Sequence, residues 1–219
     1  MFLHYKIFRK DEIPMRIPVL FICFIVFIFW FRVKSKQADN KTNNPREEFI
    51  RREHEANLTR KKDISGLNYL VVPGDALPFT ITDNEEETCI QDEVKDILSR
   101  KILDLSGITN TELKLEYGAA NLDILTEYDQ NFSQLLRSLD KWGNFLYNQK
   151  HDINCAKQVL EYAISIGSDI TGTYTTLAGI YLEENEPGKV QSLIDKAKNS
   201  NFFMKNSIVL KLKKLVQEF

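Results

Sequence analysis

The chain has 219 residues, 43% of them hydrophobic, and a formal net charge of -2 at pH 7, which leaves room for one modest domain beside a terminal segment. Charge is distributed unevenly, since residues 1–36 carry seven Lys/Arg against two acids whereas residues 63–219 carry 15 against 24. The net charge of -9 in this second part repels a phosphate backbone, so the composition argues against a nucleic-acid partner.

A basic tail, residues 1–16, precedes an uncharged run that begins at Ile17 and ends at Phe31. Together with Val33 this run predicts a transmembrane helix over residues 17–33, which would contact the lipid bilayer from Ile17 to Phe31. A cleaved signal peptide is the alternative, but no small-x-small motif closes the run. We therefore expect a single-pass protein of the cell membrane whose larger, soluble part is extracytoplasmic.

Three segments of different character follow the apolar run. Residues 34–45 are polar and end in proline, which predicts a flexible linker. Residues 46–62 mix both charge signs at helical spacing and predict a charged stalk helix, although Lys61 and Lys62 could also touch anionic lipid. Residues 63–84 contain a strand-like run between Leu67 and Val72, which predicts an extended segment packed on the domain that follows.

The remaining residues, 85–219, have helical periodicity, which predicts an all-α domain. Apolar residues recur at three- and four-residue steps from Ile90 until Gly107, which predicts a first helix. A second apolar cluster lies at residues 122–128, and a longer helix is expected from about Asn131 to about Gln149. The last apolar pattern predicts a capping helix over residues 205–217.

Within this domain a pattern of large and small side chains recurs after 34 residues. The first copy contains Tyr147, Ala156, Leu160 and Ala163, which the second repeats as Tyr181, Val190, Ile194 and Ala197. Small residues at such positions allow two helices to approach closely. The spacing predicts two helical repeats, over about residues 137–170 and 171–204.

This pattern resembles the tetratricopeptide repeat family, whose unit is a 34-residue helical hairpin that stacks on its neighbour. The resemblance implies a short α-solenoid of such hairpins with extra flanking helices, behind the single N-terminal transmembrane helix. The first copy departs from the family pattern, because Asp140 stands where tryptophan is usual and Gly143-Asn144 where Leu-Gly is usual. The Lys-, Asn- and Ile-rich composition is typical of an AT-rich bacterial genome.

The resemblance also implies a membrane-tethered interaction module that binds a protein or peptide through its concave helical face. Carried over by register, the candidate groove residues are Lys141, Phe145, Asn148, Gln149, Thr175, Leu182 and Glu183. The run between Leu67 and Val72 could itself occupy the groove. An alternative function is that of a structural accessory subunit, which braces a membrane or envelope protein assembly.

Residues that commonly carry catalysis or bind metal are scattered along the sequence. His4, His54 and His151 fall in separate contexts, and no nucleophile elbow, phosphate loop or paired metal ligand occurs. Cys89 and Cys155 lack a CxxC or Cys/His spacing, and the sequence leaves open whether they pair in a disulfide. We therefore predict that the chain is not an enzyme and needs no cofactor and no metal.

Overall fold

The computed structural model describes residues 16–201 and 203–218, and the side chains of residues 16–20 and 36–44 lie outside that description. In this part of the chain the regular structure consists of eight α-helices and one 3-10 turn, with no strand. The prediction of an all-α fold is confirmed. The chain divides into two compact units, Met1–Glu55 and Ala56–Phe219.

The first helix, α1, spans Arg16–Leu58 and contains Pro45. It is continuous through residues 34–45, so the chain is helical where the sequence predicts a flexible linker. The predicted stalk helix over residues 46–62 corresponds to the last part of α1, which ends at Leu58 rather than at residue 62. The predicted basic tail, residues 1–16, lies outside the described residues except for Arg16.

The predicted membrane span requires a correction. Among the residues that the structure describes, no helix combines the length and the apolar character that crossing a membrane requires. The uncharged run from Ile17 to Phe31 lies within α1; at about 1.5 Å per residue it covers about 22 Å, against about 30 Å for a hydrocarbon core. The predicted single-pass location in the cell membrane, from a helix over residues 17–33, is thus contradicted for the described part of the chain.

Seven further α-helices belong to the second unit. In chain order these helices are α2 Glu85–Leu98, α3 Asn110–Tyr117, α4 Leu122–Asn148, α5 Ile153–Ser165, α6 Thr171–Glu183, α7 Pro187–Asn199 and α8 Lys205–Glu218, with the 3-10 turn Ala119–Asn121 between α3 and α4. The side chain of Asn84 caps α2 by accepting a hydrogen bond from the backbone N–H of Glu87. α2 ends at Leu98, before the predicted stop at Gly107, and α4 begins well before Asn131.

The backbone repeats with the period of the sequence. α5 and α7 each have 13 residues and begin 34 positions apart, at Ile153 and Pro187, while α6 and α8 also begin 34 positions apart. The turns before α5 and α7 contain His151, with φ of 54°, and Asn185, with φ of 56°, again at the same spacing. Such left-handed conformations are uncommon for residues other than glycine. The helices from the end of α4 onward therefore form a repeat-like arrangement.

The main core lies among these helices, where α6 packs against α4, α5, α7 and α8. α4 and α5 approach closely at Gly143, because a Cβ atom added there would lie 2.4 Å from Cδ2 of Leu160. Leu160 is fully buried. Glycine at position 143 therefore has a steric reason.

Residues 59–84, called the strap below, pack along the second unit without regular structure. The N–H of Leu70 donates to the carbonyl of Ile102 at 2.9 Å, and the ring centroids of Phe79 and Trp142 are 5.1 Å apart. Nε2 of Gln158 on α5 donates to two strap carbonyls at 3.1 and 3.3 Å. A second, smaller core of Leu103, Leu105, Leu113 and Leu125 lies beside the first part of the strap.

Candidate binding face

Four of the predicted groove residues occupy equivalent positions on two packed helices. Lys141 and Asn148 are seven residues apart on α4, so they share one side of that helix. Thr175 and Leu182 follow them by 34 residues on α6, which packs against α4. Lys141 and Asn148 are exposed, and Thr175 and Leu182 are half-buried. We call the surface defined by these four residues the inner face.

Phe145 does not lie on this face. Its ring is 5% exposed and belongs to the main core, so it is not available to a partner in this conformation. The sequence alone could not show that Phe145 is buried while Lys141 is exposed, because residues one helical turn apart lie close together on the helix surface. Gln149 is exposed at the C-terminal end of α4, at the edge of the inner face.

Lys141 connects the inner face to α2. Its Nζ lies 3.7 Å from Oε2 of Glu93, and the two side chains are 54% and 47% exposed. Oε1 of the same carboxylate accepts a hydrogen bond from the Ser138 hydroxyl at 2.9 Å. An exposed ion pair of this kind contributes about 0–1 kcal/mol. The Lys141 ammonium can therefore exchange Glu93 for a carboxylate of a partner at small cost.

The other candidate side chains make local hydrogen bonds. Nδ2 of Asn148 donates to the carbonyl of Asn144 at 3.0 Å, and the hydroxyl of Thr175 donates to the carbonyl of Thr171 at 3.1 Å. The carboxylate of Glu183 accepts a hydrogen bond from the hydroxyl of Tyr147. Glu183 thus helps to join α4 and α6 at one edge of the inner face.

A row of polar contacts between α4 and α6 was not predicted. The hydroxyl of Thr173 donates to Oδ1 of Asp140 at 2.8 Å, and the hydroxyl of Thr176 donates to Oδ1 of Asn144 at 2.6 Å. Burial raises the pKa of Asp140, while its hydrogen bonds with Thr173 and Asn144 act in the opposite direction. Burial, helped by the Glu183 carboxylate, also raises the pKa of Tyr147 to about 12.

These contacts fix the two helices that carry the inner face. Asp140 and Asn144 each accept a hydrogen bond from a threonine hydroxyl on α6. The sequence did contain a signal, since Asp140, Asn144 and Tyr147 recur at helical spacing on one side of α4. The sequence did not show that α6 is the helix that faces these residues.

The described residues also bear on the metal and disulfide predictions. Within residues 16–201 and 203–218, no three His, Cys, Asp or Glu side chains form a group that could hold a metal ion. Cys23, Cys89 and Cys155 are free thiols, so Cys89 and Cys155 are not joined. Burial raises the pKa of the Cys155 thiol, and the Asp152 carboxylate adds to this effect. A thiol with a raised pKa is a poor nucleophile near neutral pH.

Comparison with known proteins returned no relative. No protein-family model, no curated protein and no solved structure matches this chain.

Proposed function

We propose that the helices from the end of α4 to α8 form a tetratricopeptide-like α-solenoid that binds an extended peptide on the inner face. The observation that carries this proposal is the shared 34-residue period of sequence and backbone. The turn residues His151 and Asn185 repeat the same left-handed conformation at this spacing. Stacked hairpins of this kind present one continuous surface formed by the first helix of each hairpin.

The position of α8 extends the inner face beyond two hairpins. α8 begins 34 residues after α6 and packs against both α6 and α7, as the first helix of a third hairpin would. By the same register, Val209 follows Lys141 and Thr175, and Val216 follows Asn148 and Leu182. Val209 is half-buried and Val216 is 43% exposed. The inner face therefore changes from polar and basic on α4 to apolar on α8.

This gradient defines the chemistry of the partner. An acidic side chain fits opposite the Lys141 ammonium, which has only an exposed ion pair to exchange. Apolar side chains fit along Leu182 and Val216, and the exposed amide of Asn148 suits the main-chain groups of an extended peptide. We infer a peptide in which an acidic residue and an apolar residue lie at opposite ends of the bound segment.

Selection from a library of random linear peptides on the full chain tests this function. The affinity of each selected peptide is then measured by fluorescence anisotropy for the wild type, for Lys141→Glu and for Lys198→Glu. Lys198 is a matched control, because it also forms an exposed ion pair, at 3.1 Å from Asp195 with side-chain exposures of 45% and 53%. It lies on α7, away from the inner face.

We expect Lys141→Glu to weaken peptide binding by about tenfold or more, since a favourable charge contact becomes a repulsive one. Lys198→Glu should leave the affinity unchanged. Selected peptides should contain an acidic residue more often than the starting library. If the library yields no binder, or if the two substitutions weaken binding equally, the inner face is not the binding site.

A further inference from the structure

A groove between α2 and α4 continues the inner face beyond Lys141. The two helices run in opposite directions along it, because Glu93 contacts Lys141 whereas Lys101, which follows α2, accepts a hydrogen bond from Asn131. The groove has a volume of about 400 Å³. We call it the charged groove, and the residues that define its chemistry are Glu93, Asp96, Arg100, Gln134, Arg137 and Lys141.

The two walls of the charged groove carry opposite charges. Glu93 and Asp96 lie one turn apart on α2, and Arg137 and Lys141 lie one turn apart on α4. The side chains of Glu93, Asp96 and Lys141 are 47%, 61% and 54% exposed. Arg137 is exposed as well. A ligand in solvent can therefore reach the charged groups of both walls.

The charges of the groove do not balance. Lys141 pairs with Glu93 across the groove, and Arg100 pairs with Asp96 along one wall. In the part of the chain that the structure describes, Arg137 forms no ion pair. The lining therefore contains three cations and two carboxylates, which gives a net charge of +1. Both ion pairs are exposed, so a ligand can exchange either of them at small cost.

An extended peptide can match both walls at once. Its side chains alternate between two sides of the chain, and those on one side follow each other at about 6–7 Å. The Cβ atoms of residues one helical turn apart, such as Arg137 and Lys141, are separated by about 5–6 Å. Two acidic side chains with one residue between them can therefore pair with these two cations. The residue between them then points to Glu93 and Asp96 on the opposite wall.

We propose that the charged groove recognises an acid–base–acid triplet in the peptide that binds on the inner face. The triplet has a net charge of -1, which balances the net charge of +1 in the groove. A third acidic residue at the middle position would instead face the two carboxylates of α2, which disfavours a purely acidic segment. This inference rests on the proposed function and specifies the sequence at the acidic end of the bound peptide.

Fluorescence anisotropy of the full chain at low ionic strength tests this specificity. The probes are fluorescein-labelled Gly/Ser peptides that differ only in one triplet, which is Glu-Lys-Glu, its permutation Glu-Glu-Lys, or Glu-Glu-Glu. We expect Glu-Lys-Glu to bind about threefold to tenfold more tightly than either of the others, because each misplaced charge loses or reverses an exposed contact. Equal or tighter binding of Glu-Glu-Lys or Glu-Glu-Glu, or no binding of Glu-Lys-Glu, overturns the proposal.

Charge reversals assign the specificity to the two walls. Asp96→Lys should remove the preference for Glu-Lys-Glu over Glu-Glu-Glu, since α2 would then repel the middle base. Its control is Asp195→Lys, because Asp195 is also an exposed carboxylate paired along its own helix, and this variant should keep the preference. Arg137→Glu should weaken binding of Glu-Lys-Glu by about tenfold, whereas Lys211→Glu, at an exposed position on α8, should not.

The results separate this inference from peptide binding itself. If Asp96→Lys keeps the preference of the wild type, or if Arg137→Glu and Lys211→Glu weaken binding equally, the charged groove does not read the triplet. Lys141→Glu can still weaken binding of every library-selected peptide in that case, which leaves the inner face as the binding site. Because the reversed side chains are exposed, a general loss of folding is not expected to mimic these changes.

Discussion

Replacing Gly143 by alanine is expected to destabilise the second unit. The added Cβ would lie 2.4 Å from Cδ2 and 2.6 Å from Cγ of Leu160. Because Leu160 is 0% exposed, its side chain has no solvent-filled space into which to move. Overpacking of a core costs about 1–3 kcal/mol, and the upper end applies because Cγ lies close to the backbone and shifts little.

The helix propensity of alanine offsets part of this cost. Alanine is favoured over glycine in a helix interior by about 1 kcal/mol. The net loss from Gly143→Ala is therefore about 2 kcal/mol, which corresponds to a fall in Tm of about 4–8 °C for a chain of this size. Thermal unfolding followed by circular dichroism measures this change.

Gly179→Ala is the matched control, since Gly179 lies inside α6 and its added Cβ would approach the Tyr147 hydroxyl only to 3.9 Å. This substitution should raise stability by up to about 1 kcal/mol. In a Leu160→Ala background, where the space is vacated, Gly143→Ala should also become stabilising. A Tm for Gly143→Ala equal to or above that of the wild type would refute the close approach of α4 and α5.

Four further substitutions probe other contacts of the second unit. Lys150→Ala should lower the free energy of unfolding, measured by urea denaturation, by about 3 kcal/mol. The reason is that Nζ of Lys150 lies 2.8 Å from the carboxylate of Glu87, which is 1% exposed and would lose its ion pair. An unchanged urea midpoint would contradict this. Burial raises the pKa of Tyr174 to about 12, so the stability that this burial contributes below pH 10 is lost between about pH 10 and 12. Among the residues that the structure describes, the Tyr174 hydroxyl has no hydrogen-bond partner. Tyr174→Phe should therefore raise the free energy of unfolding by about 1 kcal/mol at pH 7 and reduce the loss of stability between pH 10 and 12. A lower free energy of unfolding at pH 7 would show that the Tyr174 hydroxyl does have a partner. His151→Gly should stabilise the second unit by about 0.5–1 kcal/mol, because His151 has a φ of 54° that glycine adopts without strain. Asn185→Gly should stabilise it less, because asparagine tolerates this conformation. Equal losses of stability in the two variants would contradict the repeated left-handed turn.

The sequence predicted the fold best where local pattern and packing agree. The start of α2 at Glu85 follows from its cap residue and acidic first turn, and the helices after α4 follow from the 34-residue period. The end of α2 was wrong because Ile102, Leu103 and Leu105 continue the apolar spacing, although they are buried in irregular chain. Periodicity reports burial, and burial alone does not require a helix.

The sequence revealed some of the candidate binding residues and not others. The 34-residue register gave the equivalent positions of Lys141 on α4 and Thr175 on α6, and their role in binding stays a prediction. Phe145 was misplaced because it lies one helical turn from Lys141, and the sequence did not show that its ring belongs to the main core. The contacts of Lys62 with Tyr117 and Asn121 could not be predicted, since these residues have no common local pattern and meet only through the path of the strap.

Photo-crosslinking from the inner face tests peptide binding most directly. A photoreactive phenylalanine is placed at Thr175, on the inner face of α6, or at Gln191, an exposed position on α7. Each full-length variant is irradiated with the tightest peptide from the library selection, and the crosslinked product is identified by mass spectrometry. We predict a crosslink from position 175 and none from position 191. A crosslink from position 191 alone, or equal yields from both positions, would contradict binding on the inner face.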